Sequence, residues 1–196
     1  MHTLTRLCVV TTLGAVLSGC GAVVVGGVAT GAVVAHDRRT TGTVVEDKEI
    51  TLRAADLRAS DPEIRERSNI AITTYNLKVL LTGQTESAEL SERLAAKVAQ
   101  LPRVTHVYNE VTVGAEATWS DAASDTILTG RVKVALFDIK MEGFDTLRVK
   151  VTTSKNTVYL MGLVTRAEAD AVTDKVRYLS GVEKVVRLFD YIQPAS

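Results

Sequence analysis

The chain has 196 residues and carries 23 Lys+Arg against 23 Asp+Glu, so its net charge singles out neither nucleic acid nor a highly charged ligand. Its two cysteines, Cys8 and Cys20, both lie near the N-terminus, which excludes a disulfide framework or a thiolate metal site in the rest of the chain. The three histidines, His2, His36 and His106, are far apart and show no metal-ligand spacing.

His2 and Arg6 stand near the start, an apolar run follows from Leu7 to Leu17, and Leu17-Ser18-Gly19-Cys20 closes the segment. A charged start, a short apolar stretch and small residues predict an export signal over residues 1–19. A Cys directly after Leu-Ser-Gly resembles the lipobox of bacterial lipoproteins. The resemblance implies cleavage before Cys20, a diacylglycerol thioether on its sulfur and an acyl chain on the new N-terminus. The alternative is an ordinary secretory signal or an uncleaved anchor, with Cys20 incidental. Two acyl chains anchor a protein stably, each buried methylene contributing about 0.8 kcal/mol.

Residues 20–45 read as a tether. Gly21 to Ala35 carry no charge, and Gly27 and Gly31 have the Gly-x-x-x-Gly spacing of closely packed membrane helices. This run falls short of the roughly 20 residues that span a bilayer core, which favours a tether over a membrane-inserted segment.

The remainder repeats itself at an offset of 78 or 79 residues. Asp47-x-x-Ile50 matches Asp125-x-x-Leu128; Ile70 to Thr74 matches Val149 to Thr153; Val79 to Gly83 matches Val158 to Gly162; Leu101-x-x-Val104-x-x-Val107 matches Leu179-x-x-Val182-x-x-Val185. A repeat decides architecture before any motif does. It divides the chain into copy one (46–113), a linker (114–123) and copy two (124–193).

Within each copy the periodicity changes in a fixed order. A helical pattern comes first, with Ile50, Ala54 and Leu57 in copy one and Leu128, Val132, Ala135 and Ile139 in copy two as core positions. Asp47, and Ser124 or Asp125, are the expected N-caps. Two alternating segments follow, Ser68 to Thr73 with Lys78 to Thr82, and Leu147 to Thr152 with Thr157 to Met161. Tyr75-Asn76 and Lys155-Asn156 are the expected turns, and Gly83 and Gly162 the expected hairpin ends. A second helix runs from Ser87 to Leu101 and from Ala167 to Leu179, the latter opened by the capping box Thr165-Arg-Ala-Glu168. A closing strand lies within Val104 to Val113 and Val182 to Ile192. The expected fold is α+β: two tandem two-layer α/β sandwiches of αββαβ order, each with two helices on a three-stranded mixed sheet.

The Gly-x-Thr and Gly-x-Val turns, the Ala-rich helix and the closing Val-x-x-Val with Asn109 resemble the BON domain. Together with Cys20 and Tyr108-Asn109-Glu110, two such domains are similar to the dual-BON outer-membrane lipoproteins of Gram-negative bacteria. The resemblance implies a periplasm-facing outer-membrane lipoprotein. It would bind anionic phospholipid such as phosphatidylglycerol or cardiolipin through its second domain, concentrate at division sites and support envelope integrity.

The copies differ in surface. Copy one has 9 Lys+Arg and 11 Asp+Glu; copy two has 11 and 9, a sign that favours copy two beside an anionic membrane. In copy one the outward face of the first helix carries Lys48, Glu49, Arg53 and Asp56, a solvated face. In copy two Ile127 and Val134 remain outward at i, i+7 with Arg131 and Lys133 nearby, as an interfacial helix requires. Candidate lipid-contact residues are Ile127, Gly130, Arg131, Lys133 and Val134. The alternative packs Ile127 or Val134 on the other domain. A family member carries Trp where this chain has Ile127, and Trp119 in the linker is either a substitute for it or an interdomain packing residue. No nucleophile elbow, carboxylate pair or cofactor motif emerges, so neither an enzyme nor a cofactor is expected, and no nucleic acid partner. The rival functions are an adaptor for outer-membrane assembly proteins and a pore-forming protein.

Overall fold

The computed structural model describes residues 37–114 and 119–193. The export signal, Cys20 and the tether up to residue 36 lie outside the described residues, as do linker residues 115–118.

The first half comprises α1 (Thr41–Ser60), α2 (Pro62–Arg67), β1 (Ser68–Tyr75), β2 (Lys78–Thr85), α3 (Ala88–Ala99) and β3 (His106–Val113). The second comprises α4 (Trp119–Leu136), a 3-10 turn (Thr146–Arg148), β4 (Val149–Ser154), β5 (Thr157–Val164), α5 (Arg166–Arg177) and β6 (Lys184–Tyr191). In each half an antiparallel hairpin is extended by a parallel strand on the far side of its second strand, giving sheet orders β1-β2-β3 and β4-β5-β6. A parallel pair needs a crossover, and α3 and α5 supply it.

Each sheet buries one face under its helices. Ile50, Ala54, Val79, Leu81, Leu94 and Val98 centre the first core; Leu128, Val132, Val158, Leu160, Val172 and Val176 centre the second. The helical positions are those the periodicity picks out, with Leu57 and Ile139 half-buried at the margins. The capping box of α5 forms in full: Thr165 Oγ1 accepts from Glu168 N–H, and Glu168 accepts from Thr165 N–H at 2.7 Å.

Four local expectations are corrected. The first helix of each copy starts earlier, α1 at Thr41 behind an N-cap at Thr40 and α4 at Trp119, within the stretch read as linker. Asp47 and Asp125 therefore lie inside their helices rather than at the N-cap. Their carboxylates serve the hairpins instead: Asp47 accepts from Asn76 N–H and Leu77 N–H at 2.8 and 2.7 Å, Asp125 from Lys155 N–H and Asn156 N–H at 2.9 and 3.2 Å. The first hairpin turns at Asn76-Leu77, not Tyr75-Asn76. All four turn residues have φ between 45° and 64°, the left-handed pair that a two-residue turn requires between right-twisted strands. A leucine there is strained by about 1–2 kcal/mol, and the buried Asp47 carboxylate holds its N–H in place.

Gly83 and Gly162 sit within β2 and β5 rather than at the hairpin ends. A Cβ at Gly83 would lie 2.0 Å from Asn69 O, and one at Gly162 2.7 Å from Arg148 O, so both glycines permit close strand approach. A short helix without an expected counterpart, α2, follows Asp61, whose side chain caps it by accepting from Ile64 N–H.

The face of each sheet turned away from its helices is apolar too, and the two faces meet. Tyr75 and Leu80 of the first half pack with Tyr159, Met161 and Leu188 of the second, flanked by Tyr108, Leu163 and Val186. The layers run helix, sheet, sheet, helix. Burial pushes the Tyr75 and Tyr159 phenols up to about 12.

Candidate membrane-contact face and the interdomain seam

Helix α4 points Leu128, Val132, Ala135 and Leu136 inward. The 3.6-residue period then turns Ile127, Gly130 and Val134 outward, and Phe137 continues that stripe on the turn after the helix. Ile127 is 57% exposed, Val134 68% and Phe137 67%. Arg131 and Lys133 are exposed on opposite flanks of the stripe, and nothing stands within 4 Å of a Cβ built on Gly130. The face is thus an apolar ridge with a flat centre between two cations. Ile127 and Val134 are both more than half exposed, so neither is buried against the first half. Trp119 is the first residue of α4.

Phe137 escaped the sequence reading. Its signal is present, three residues after Val134 and ten after Ile127, within a core pattern that runs on to Ile139.

The same face of α1 has different chemistry. Glu49 and Asp56 stand where α4 has Ile127 and Val134, and Arg53 spends its guanidinium on Glu49 at 2.6 Å. Val45 and Leu52 are also exposed on α1, but Glu49 and Asp56 share their side of the helix. At the matching positions α4 thus presents Ile127, Arg131 and Val134 where α1 presents Glu49, Arg53 and Asp56.

A second cluster ties the halves together. Arg38 donates to Glu168 at 2.6 and 3.0 Å and to Leu163 O at 3.2 Å, crossing from the N-terminal strap to the second half. Arg148 approaches the same carboxylate at 3.4 Å. Arg39 turns the other way, pairs with Asp37 and Asp47, and lies 3.9 Å over the Tyr75 ring. Tyr75 reaches across the seam, donating to Arg148 O at 3.4 Å and accepting from Leu163 N–H at 3.3 Å. Asp190 takes Lys78, and accepts from Asn76 Nδ2 at 2.9 Å. Burial acts to raise the Glu168 carboxyl, but hydrogen bonds from Arg38 and from Thr165 N–H outweigh it and hold it below its ordinary value. Asp37 behaves likewise, with Arg39 outweighing burial.

The remaining motif residues are structural. Asn109 Nδ2 donates to Ser91 Oγ at 3.3 Å, joining β3 to α3. His106 is exposed, its ring 4.3 Å from that of Tyr108. Among the described residues no group of three or more His, Cys, Asp or Glu can hold a metal ion, and no helix is long and apolar enough to cross a membrane.

The repeat has a counterpart among known families. The model of the BON domain matches twice, at residues 44–115 and 124–193. The chain belongs to the BON domain family. A relative described as outer membrane lipoprotein DolP of Haemophilus influenzae is 34% identical over 177 residues, covering 90% of each chain. Another, described as a 21 kDa hemolysin of Actinobacillus pleuropneumoniae, is 32% identical over 157 residues and covers 80% of each. A solved structure, the C-terminal domain of CdsD from the type III secretion system of Chlamydia trachomatis, aligns with a TM-score of 0.29 at 14% identity, over 75% of this chain and 67% of that one. That likeness is too loose to bear on either BON domain.

Proposed function

We propose that this protein is an outer-membrane lipoprotein, anchored through Cys20, that lays its second BON domain on anionic phospholipid and so supports the envelope. The carrying observation is the outward face of α4: Ile127, Val134 and Phe137 exposed between Arg131 and Lys133, against Glu49 and Asp56 at the matching positions of α1. The likeness to an outer membrane lipoprotein over 90% of the chain supports the location, and the lipobox supports the anchor.

Each of the three apolar side chains contributes at most roughly 1.5–3 kcal/mol if fully inserted. Each flanking cation adds about 1 kcal/mol near anionic headgroups, and salt screens that part. Neither contribution alone overcomes the cost of orienting the protein on a surface, so both are required.

The test is co-sedimentation of residues 36–196 with phosphatidylglycerol, cardiolipin and zwitterionic vesicles. Binding to the first two is expected, weakened strongly by Ile127→Glu, Phe137→Glu or Arg131→Glu and hardly by Arg53→Glu. Equal damage from Arg53→Glu and Arg131→Glu would show diffuse electrostatic attraction and overturn the assignment to α4. Absence of anionic-vesicle binding would turn the reading to an adaptor for outer-membrane assembly proteins.

A further inference from the structure

The two sheets run in opposite senses across the seam. Tyr75, beside the turn of the first hairpin, bonds Arg148 O and Leu163 N–H, which flank the start of β4 and the close of β5. Lys78, at the start of β2, pairs with Asp190 near the close of β6. The first hairpin turn therefore shares one end of the body with the C-terminal ends of β5 and β6. Helix α4 reaches the same end with its last turn, because Asp125 near its start is bonded to the opposite turn at Lys155 and Asn156.

Three large apolar or aromatic side chains are exposed at this end. Phe137 follows α4, Leu147 lies in the 3-10 turn that opens β4, and Tyr191 closes β6. The guanidinium of Arg166 stands 4.8 Å over the Tyr191 ring, the pairing of an amphipathic phenol with a cation that suits a membrane–water interface. Neighbouring carboxylates are engaged: Asp138 pairs with Lys175 at 3.1 Å, and Asp145 accepts from Leu147 N–H at 2.8 Å.

The N-terminal strap arrives here too. Arg38 is held by Leu163 O and Glu168, and the same Glu168 carboxylate meets Arg148, the residue after Leu147. Asp37 stands 17 positions after Cys20, a length of chain that spans at most about 60 Å. A surface that holds Cys20 is thus joined to the body beside Leu147, and not at the far end, where Val113 closes β3.

We propose that this end is a second lipid contact, at which Leu147 and Tyr191 enter the headgroup region of the bilayer that holds the protein's own anchor. The proposal rests on the reading of α4 as a lipid-facing helix and deepens it. Phe137 joins the two contacts, α4 enters by its C-terminal end, and Arg166 meets headgroup phosphates.

The experiment reconstitutes the full chain in phosphatidylglycerol vesicles with a nitrobenzoxadiazole label on Leu147→Cys, Ile127→Cys or Val113→Cys in turn, the chain without an added cysteine serving as the blank. All three positions are exposed, so the labels leave the core intact, and an unchanged melting temperature checks this. The label at 147 should shift to the blue and be shielded from acrylamide at least about threefold relative to that at 113, as burial at the headgroup boundary requires. A label at 147 as open to acrylamide as one at 113 overturns the proposal. If the label at 127 is then shielded, the lipid-facing reading of α4 stands without it; if that label is open as well, both fall.

Discussion

Replacing Arg38 by alanine tests how the two domains are held. Arg38 makes two charge-assisted bonds to Glu168 and a third to Leu163 O. The Glu168 side chain is 6% exposed and Arg38 26%. Removing one partner of a fully buried pair costs about 3–5 kcal/mol. Here the orphaned carboxylate keeps Thr165 N–H at 2.7 Å and Arg148 at 3.4 Å, and Arg38 is itself partly solvated, so the expected loss is smaller, about 1.5–3 kcal/mol. For a body of this size that lowers the melting temperature by roughly 4–10 °C. The partner variant is Glu168→Gln, which preserves the capping box because glutamine also serves at the third helical position. Urea unfolding of the two single variants and the double variant should give a coupling energy above about 1 kcal/mol. Additivity within about 0.5 kcal/mol would refute the clasp as an energetic link. The pH response follows from the same contacts. Glu168 sits below its ordinary value of 4.5 in the folded state, so the unfolded chain binds the proton first as pH falls. Its contribution is complete above pH 4.5 and is lost as pH drops through the folded value. Arg38→Ala should therefore flatten the acid limb of the stability profile between about pH 5 and 3.

Gly83→Ala should unfold the first domain, since its Cβ meets Asn69 O at 2.0 Å and φ is +118°; Gly162→Ala, at 2.7 Å, should be milder, and far-UV circular dichroism distinguishes the two. Asp47→Ala should cost about 1–3 kcal/mol by orphaning the turn amides and Arg39 together, and hydrogen exchange at Asn76 and Leu77 should rise accordingly.

The repeat and its order of elements were legible because both rest on local periodicity. Helix starts were not: Thr41-Gly-Thr-Val-Val45 has glycine and β-branched residues of low helix propensity, and its helix is fixed by a cap at Thr40 and by the seating of Arg39 beside Asp47. The Arg38–Glu168 clasp joins residues 130 apart, beyond any spacing rule. The sheet-to-sheet seam did leave a trace. Val158-Tyr159-Leu160-Met161 is apolar on both faces, the mark of a strand covered twice. Ile127 and Val134 were visible as apolar positions left over once the core face was assigned.

The doubly covered sheets bear on the order in which the chain is made. The inner face of the first sheet, with Tyr75 and Leu80, is finished when residue 113 emerges, but its cover of Tyr159, Met161 and Leu188 follows as many as 75 residues later. On the proposed export route the chain crosses the membrane unfolded and N-terminus first, so the first domain stands with an apolar sheet uncovered until those residues have followed. During that interval it is a substrate for holding factors and for pairing with another chain's first domain. A first domain ending at residue 114 should therefore self-associate, and Leu80→Ser in it should reduce that association, as size-exclusion chromatography would show.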